Sequence, residues 1–442
     1  MVPTELSTYG TGPLLEAARA QRAGELTAVD LVRRSLDAIE RWQPATNAVV
    51  HAVADEALAC AAQLDVDAAQ GRWHGLLHGI PLSVKDNIHV AGMPTRAGSA
   101  AFVAHPGADA EAVARVRAAG AIVLAKVATH EFALGVTTPQ ARHPRDAQRI
   151  PGGSSGGSAV SIATGMALAS LGTDTRASIR VPASLCGVVG FKPTFGSVPA
   201  EGIVWLSWTI DTVGVLAGSI GDAACVVDVL SHGSLGLYAA GTDVRGMRLG
   251  VPRDAFEDAE PEVTTAVEAA LDRLTALGVR LVSVAHPSRE EFDWSNAAGL
   301  IVSRCEALDY HRSLATDWSK IWPETRDQFE ATAQLGIADY LRAQRFRADL
   351  ARRVLAEVES NGLAGLVMPT TLVKAPPLAS AESYFTRLSK LAIPWSIMGW
   401  AVLSVPAPVP ADELPVGVQL VAPPFEDASL VQLGRALENL YS

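Results

Sequence analysis

The sequence predicts an α/β protein with a mostly parallel mixed sheet that is covered on both faces by helices. Between residues 76 and 127, apolar runs of strand length alternate with a segment of helical pattern. Such alternation is typical of α/β folds, in which helices cross the faces of a sheet between its strands. The chain has 442 residues, of which 49% are hydrophobic and 19% charged, so it can bury the large core that such a sheet requires.

The whole chain, residues 1–442, is predicted to form one domain in three parts. Residues 1–70 should form an N-terminal helical cover, residues 71–240 the core, and residues 241–442 an α/β part that completes the sheet. In the first part, Thr27 is followed three residues later by Asp30, a pattern that resembles a capping box at the start of a helix. The predicted elements of this part are helices over 1–24, 29–39 and 55–67 and a strand over 47–53.

In the central part, residues 76–84 predict a buried strand that delivers Lys85 at its end. Residues 109–119 predict a helix, and residues 121–127 a second buried strand. Residues 159–171 are apolar and small, and they have the length of a buried helix. Residues 222–230, at the end of the central part, predict a helix. In the last part, the predicted strands are 247–251, 279–284, 365–370 and 414–420, and the helical segments are 261–277, 290–360 and 428–440.

Charge and composition exclude several classes of partner. The net charge of −11 argues against a nucleic acid, because phosphate binding needs clustered lysines and arginines. No apolar run approaches the roughly 18 residues of a membrane span, and the N-terminus has no signal-peptide pattern, so a cytoplasmic protein is expected. The four cysteines show no C-x-x-C spacing, which fits a reducing compartment and no cysteine-based metal site.

A stretch rich in glycine and serine, residues 149–193, carries the strongest functional signal. It contains Pro151-Gly-Gly-Ser-Ser-Gly-Gly-Ser158 and, further on, Gly172-Thr-Asp-Thr-Arg-Ala-Ser178. A flexible linker would be polar on both sides, whereas small apolar residues follow these glycines at once. Glycines of this density usually allow backbone N–H groups to approach a ligand or a reacting atom.

Three chemical interpretations compete for this stretch. A phosphate-binding loop is disfavoured because the G-x-x-x-x-G-K-[ST] spacing is missing. A nucleophile elbow fits Gly153 to Gly157, but the residues before it are polar and do not form the strand that this motif needs. The third interpretation is a serine nucleophile activated by a lysine, and Lys85 is the candidate because it ends an apolar run. A lysine that reaches water from the end of a strand is the structural alternative for Lys85.

At this point the residues resemble the amidase signature family of serine hydrolases. The resemblance spans almost the whole chain in order, and its combination of motifs is specific although no single motif is. The matching segments are Val84-Lys-Asp-Asn87, His130-Glu-Phe-Ala133, 151–159, Gly172-Thr-Asp174, Ser178-Ile-Arg-Val-Pro-Ala-Ser184, 186–194, Asp211-Thr-Val-Gly214 and 414–420.

The resemblance implies the fold of that family and a Ser-Ser-Lys triad. By motif position, Ser178 is similar to the nucleophile, Ser154 to the bridging serine and Lys85 to the general base. A helix cap is the structural alternative for Ser154, although Ser155 suits that role better. The backbone N–H groups of residues 175–178 (Thr175, Arg176, Ala177 and Ser178) are the expected oxyanion hole.

One position departs from the family pattern. The family usually has two glycines before the nucleophile, whereas this chain has Arg176 and Ala177. Either Arg176 points away and Ala177 tolerates the backbone angles, or Arg176 reaches the substrate and pairs with an anionic group.

Three aromatic residues are candidates for the substrate pocket. Phe132 follows His130-Glu131, and Trp205 and Trp208 lie in a short aromatic loop, where plain core packing is the alternative interpretation. His130 and Glu131 lack an H-E-x-x-H partner, so no metal site is expected.

These observations predict an amidase that hydrolyses the C–N bond of a small carboxamide, with a ureide or anionic amide as an option, and that needs no metal or organic cofactor. The expected partner is the small amide substrate, and the sequence allows a homodimer. Two alternatives stay open. One is the glutaminase component of a tRNA-dependent amidotransferase, and the other is a degenerate member of the family without catalytic activity.

Overall fold

Eleven strands form one continuous sheet in the computed structural model, which describes residues 6–314 and 317–438. The order of strands across the sheet is β1-β3-β2-β4-β6-β5-β10-β11-β9-β7-β8. The strands are β1 Val49–Ala52, β2 Pro81–Lys85, β3 Ile122–Val127, β4 Ala169–Asp174, β5 Val189–Lys192, β6 Thr212–Ala217, β7 Arg248–Pro252, β8 Arg280–Val284, β9 Gly365–Pro369, β10 Ala401–Pro406 and β11 Gly417–Ala422.

Helices cover both faces of this sheet, as the sequence predicts. They are α1 Pro13–Arg22, α2 Ala28–Thr46, α3 Ala54–Ala69, α4 Glu111–Ala118, α5 Gly156–Ala163, α6 Arg180–Cys186, α7 Ile220–Leu230, α8 Pro261–Ala276, α9 Arg289–Ser313, α10 Pro323–Thr332, α11 Ile337–Ser360, α12 Phe385–Ser389, α13 Ile393–Ile397 and α14 Asp427–Glu438. The α/β class is confirmed. Of the residues predicted to be helical, 1–5, 315–316 and 439–440 lie outside the described part.

The sheet contains fewer parallel pairs than predicted. Only β2–β3, β2–β4, β7–β8 and β7–β9 are parallel among the ten pairs of the described strands, and the other six are antiparallel. The alternation of strand and helix that predicts parallel pairing covers β2 to β3 and β7 to β8. It does not extend to the middle of the sheet, where β4, β6, β5, β10 and β11 pair antiparallel.

Two large clusters of buried side chains lie on the two faces of the sheet. The first joins α1, α4, α7, α8 and α14 to residues such as Val84 and Leu171. The second lies between the sheet and α6, α9 and α11, and it includes the buried tryptophans Trp395 and Trp400. The second cluster lies next to the glycine- and serine-rich stretch, since α6 follows that stretch directly.

Local signals explain where several helices begin. The Thr27 hydroxyl accepts a hydrogen bond from the N–H of Asp30, and the Asp30 carboxylate accepts one from the N–H of Thr27, so the predicted capping box is confirmed. Such a cap stabilises a helix by about 1 kcal/mol. In the part of the chain described, no helix is long and apolar enough to cross a membrane.

The predicted helix over 159–171 is wrong in its second half. α5 ends at Ala163, Gly165 turns the chain with φ of 72°, and β4 begins at Ala169. Small apolar residues fit both a buried helix and a buried strand, so the pattern alone does not place this boundary. The correction matters because β4 then delivers Thr173 and Asp174 to the same end of the sheet as Lys85.

Candidate active site

Three segments bring the predicted triad to one end of the sheet. Lys85 is the last residue of β2, Ser154 lies in the loop before α5, and Ser178 lies in the turn between β4 and α6. β2 and β4 are neighbouring parallel strands, so their carboxyl ends lie side by side. All three residues are buried, with 0%, 0% and 3% of their surfaces exposed, respectively.

The Lys85 amine contacts a serine and a threonine. Its Nζ lies 2.7 Å from the Ser154 hydroxyl and 2.8 Å from the Thr173 hydroxyl, and 3.3 Å from the Thr173 carbonyl oxygen. Asn87 donates a hydrogen bond to the same Thr173 hydroxyl. The short distance to Ser154 allows a proton to pass between the two side chains.

Burial makes Lys85 a base near neutral pH. Loss of hydration lowers the pKa of its amine to about 7, although the carboxylates of Asp211 and Asp174 act in the opposite direction. An amine with this pKa is largely neutral at slightly alkaline pH, and a neutral amine can accept a proton.

Two other lysines are fully buried, and their surroundings differ. Lys126 forms an ion pair with Asp86 at 3.2 Å, and Lys192 donates a hydrogen bond to the carbonyl oxygen of Pro193. Lys85 is the member of this group whose amine contacts a serine hydroxyl. The geometry therefore separates Lys85 from a strand-end lysine that reaches water.

The loop that carries Ser154 is fixed from two sides. The N–H of Ser155 donates a hydrogen bond to the carbonyl oxygen of Ser178 at 3.1 Å, which ties the two serine segments together. Gly157 approaches β3 so closely that a Cβ there would lie 2.4 Å from the nitrogen of Ala128.

Ser155 occupies the N-cap position of α5, but its hydroxyl donates to the Thr173 carbonyl oxygen and forms no cap bond. The expectation that Ser155 caps the helix through its side chain is wrong, because the Thr138 hydroxyl accepts from the N–H of Gly156 instead.

A buried ion pair shapes the turn around Ser178. Arg180 binds the Asp174 carboxylate with two nitrogens, each at 3.0 Å, and the same carboxylate accepts the N–H of Ile179. Burial raises the pKa of Asp174, but the Arg180 guanidinium outweighs this effect and holds the pKa below its usual value. Arg180 also donates to the carbonyl oxygen of Ala392 and to the hydroxyl of Ser396, which joins the turn to α13 and the residue before it.

The backbone before Ser178 has unused donors. Among the described residues, none of the N–H groups of residues 175–178 has an acceptor in the protein. Free N–H groups beside a serine are the arrangement that an oxyanion hole requires. The Thr175 hydroxyl donates to Asp211, whose carboxylate also accepts the N–H groups of Leu206 and Ser207, so the start of the turn is held in place.

Arg176 and Ala177 fit this turn without backbone strain. Neither residue belongs to the described non-glycine residues with positive φ. Ala177 is fully buried in the second core cluster. The Arg176 guanidinium lies over the ring of Phe385, with 4.9 Å from Cζ to the ring centroid, and its Nη1 has no hydrogen-bond partner in the described part of the chain.

A pocket of about 390 Å³ lies beside Phe385, the residue whose ring the Arg176 guanidinium covers. It is lined by His130, Thr137, Arg304, Glu324, Asp327, Gln328, Ala331, Glu382 and Phe385. His130 connects this pocket to the triad, because its backbone N–H donates a hydrogen bond to the carbonyl oxygen of Ser154. Its ring also lies close enough to Lys85 and Arg176 for their charges to change its pKa. Burial first, and then these two cations, lower the pKa of His130 to about 3, so its ring is neutral.

The three predicted aromatic pocket residues lie outside this lining. Phe132 is fully buried and packs on His311, with 4.3 Å between the ring centroids. Trp205 is half-buried against the first core cluster, and Trp208 is at the surface with 43% exposed. Their role in substrate binding stays a prediction. Within residues 6–314 and 317–438, no three His, Cys, Asp or Glu side chains are grouped to hold a metal ion.

The family model described as Amidase matches residues 30–431. The chain belongs to the amidase signature family. A 2-amino-5-chloromuconic acid deaminase of Comamonas testosteroni is 37% identical, with 97% of this chain and 96% of the deaminase covered. The A subunit of a glutamyl-tRNA(Gln) amidotransferase from Chloroflexus aurantiacus is 33% identical, with 96% and 95% covered. A solved amidase structure matches with a TM-score of 0.88 at 35% identity, over 97% of this chain and 99% of that chain.

This amidase signature protein is an enzyme that acts on C–N bonds. Several residues at its site were not singled out by sequence reasoning: Thr173, Asn87, Asp211, Arg304 and Phe385. Thr173 and Asp211 lie inside motifs that the sequence does display, so a role for them could have been suspected. Arg304 and Phe385 come from α9 and α12, and only the folded chain brings them near Arg176.

Proposed function

We propose that this protein hydrolyses the C–N bond of a small carboxamide through an acyl-enzyme on Ser178. The observation that carries the proposal is the buried contact between Lys85 Nζ and Ser154 Oγ, beside a serine preceded by free N–H groups. A serine hydroxyl is a weak nucleophile without a base, and Lys85 is the base that this site offers.

In the proposed reaction, neutral Lys85 takes the proton of Ser154 as Ser154 takes the proton of Ser178. Ser178 Oγ forms a bond to the amide carbon, and the N–H groups of residues 175–178 bind the resulting oxyanion. The C–N bond then breaks, and the proton returns through Ser154 to the leaving nitrogen. Water attacks the acyl-enzyme by the same proton path, which releases a carboxylic acid and restores Ser178.

The size of the adjoining pocket favours a small substrate. The adjoining pocket of about 390 Å³ is at the lower end of the usual size of ligand pockets. The similar protein from Comamonas testosteroni is named for the deamination of an acid, which favours a small and charged compound over a peptide.

A reaction with a serine-directed fluorophosphonate tests the proposal. In the intact protein we expect one adduct, and peptide mapping should place it on Ser178. Lys85→Met and Ser154→Ala should each slow its formation at least about a hundredfold, as expected when the base of a proton path is lost. Ser155→Ala is the matched control, because its hydroxyl contacts Thr173 and not Lys85. An adduct on another serine, or one that forms at full rate without Lys85, would contradict the proposed mechanism.

A second candidate function is that of the glutaminase component of a tRNA-dependent amidotransferase, which the similarity to the Chloroflexus aurantiacus protein favours. Such a protein would act on glutamine and would copurify with the other components of the amidotransferase. Glutamine hydrolysis that rises on addition of those components would support this candidate. A degenerate, inactive member is the third candidate, and the buried Lys85–Ser154 contact argues against it.

A further inference from the structure

Among the residues that the structure describes, Arg176 is a buried cation without an anionic partner. Only 4% of its surface is exposed, and its Nη1 makes no hydrogen bond to any described residue. None of the ion pairs in residues 6–314 and 317–438 includes it. Its guanidinium lies over the face of Phe385, with 4.9 Å from Cζ to the ring centroid. A ring face stabilises a cation only partly once its hydration is lost.

Arg180 shows what a structural arginine looks like in the same segment. It is fully buried four residues further on, and its guanidinium binds Asp174, Ser396 and the carbonyl oxygens of Ala392 and Arg176. A buried charge is normally retained with such partners, because removing it from water is costly. Arg176 lacks them among the described residues, which indicates that its partner comes from outside the chain.

The surroundings of Arg176 favour an anion as that partner. Arg304, which lines the pocket, forms no ion pair within the described residues, and its Nε donates to the side-chain oxygen of Gln328. Burial and the nearby Arg304 lower the pKa of Arg176 to about 9, so Arg176 is still a cation at neutral pH. His130, on the side toward the triad, is neutral.

Three acidic side chains also line the pocket. Glu324, Asp327 and Glu382 line the pocket, and the last two are exposed, whereas Arg176 is buried. Glu324 is 3.8 Å from the His130 ring, and its carboxylate partly offsets the lowering of the Arg304 pKa by burial. Arg304 and Glu324 are both partly exposed, whereas Arg176 is buried, so Arg176 is the charge that most needs a partner.

We propose that Arg176 binds a carboxylate of the substrate, so that the enzyme acts on a small amide that carries a carboxylate. This inference rests on the proposed function, since it uses the same pocket and the same Ser178. A carboxylate matches the guanidinium fork, which can donate two parallel hydrogen bonds. The bound carboxylate takes no part in bond changes, and it positions the amide carbon over Ser178. Arg304 contributes a second positive charge.

The test is a calorimetric binding measurement on the Ser178→Ala protein, in which the amide is not cleaved. The ligands are malonamate, succinamate and glutaramate, each compared with the neutral diamide of the same carbon skeleton. We expect at least one acid to bind about tenfold or more tightly than its diamide, the range of a charge-assisted contact. In Ser178→Ala with Arg176→Met, the same acid should lose this advantage and bind within about threefold of the diamide.

The controls separate this role from a structural one. Arg245→Met removes an exposed arginine that pairs with Asp243, and it should leave the preference unchanged. Arg304→Met should reduce the preference without abolishing it. If Arg176→Met unfolds, Arg176→Lys keeps the charge without the fork and should retain part of the preference. Equal binding of acid and diamide to the Arg176-containing protein, or a preference that persists in Arg176→Met, would overturn the inference.

Failure of this inference is distinguishable from failure of the proposed function. If the fluorophosphonate labels Ser178 but the protein shows no preference for acids, the carboxylate site is rejected and the proposed amidase chemistry is retained. If the preference for acids depends on Arg176 but Ser178 is not labelled, the anion-binding pocket is retained and the proposed amidase chemistry is rejected.

Discussion

The protonation state of Lys85 should make the rate of the proposed reaction depend on pH. Its amine must be neutral to accept a proton, and burial lowers its pKa to about 7. Below that pH the amine is protonated and cannot act as a base, and above it the neutral form dominates. The rate should therefore rise with pH rather than fall.

We expect kcat/KM for a turned-over amide to increase through an apparent pKa of about 7 and then to level off. The measurement is a pH profile over neutral and alkaline buffers. Asp211, whose pKa burial raises to about 6, is the other group that titrates nearby. Warming separates the two, because the pKa of an amine falls on heating and that of a carboxyl group hardly changes. An apparent pKa of the kcat/KM profile that does not fall on warming would contradict the assignment to Lys85.

The Arg180–Asp174 pair holds the turn of the nucleophile, and its loss should be costly. In Arg180→Met, the Asp174 carboxylate stays buried without its partner. We expect the free energy of unfolding to fall by about 3–5 kcal/mol, the usual cost of breaking a buried ion pair from one side. Denaturant unfolding followed by circular dichroism measures this change. Arg245→Met breaks an exposed pair and should leave the unfolding midpoint where it is. A small effect of Arg180→Met would show that the turn is held by its other contacts.

At the scale of elements, the close approach of α5 to β3 places Ser154 beside Lys85. Gly157 makes this approach possible, since a Cβ would meet the backbone of Ala128 at 2.4 Å and the carbonyl oxygen of Ala48 at 2.8 Å. Backbone atoms cannot turn aside as the end of a side chain can. A larger residue must therefore move the helix and its preceding loop.

Gly157→Ala should slow labelling of Ser178 at least about tenfold, because a shift of about 1 Å at a reacting group is enough for a loss of that size. Overpacking should also lower the free energy of unfolding by about 1–3 kcal/mol. Labelling rates and denaturant curves measure the two effects. Gly107→Ala is the control, because a Cβ there meets nothing within 4 Å. If Gly157→Ala labels as fast as the original protein, the position of α5 is not what holds Ser154 in place.

The sequence predicts helices and strands well where a pattern has one interpretation. The Thr27–Asp30 capping box and the strand that ends at Lys85 are present. The pattern did not separate α5 from β4, because small apolar residues suit both. It also gives no signal for the strand β10, since proline and glycine interrupt residues 388–405. The contact of Lys85 with Ser154 joins residues 69 positions apart, and motif resemblance was the only signal for it.

At the scale of the whole molecule, one sheet joins all parts of the chain. β1 comes from the predicted N-terminal cover, β2 to β6 from the core, and β7 to β11 from the last part. The junction between β5 and β10 is antiparallel and central, and Arg180 of α6 reaches α13 across the same region. The predicted single domain requires that these parts unfold together.

Hydrogen exchange followed by mass spectrometry tests this prediction. Peptides that cover β4 and β9 should become exchangeable at the same denaturant concentration, because the two strands belong to one cooperative sheet. Peptides of β8, an edge strand, serve as the reference for local opening. Opening of β9 well before β4 would divide the chain into two units and would contradict the single domain.

The buried charge of Arg176 bears on how products leave. Hydrolysis of an amide turns a neutral group into a carboxylate beside Ser178. If the acyl part already carries one carboxylate on Arg176, the reaction creates a dianion beside a buried cation. This cation then holds the acid product, so we expect departure of the product, rather than bond cleavage, to limit turnover.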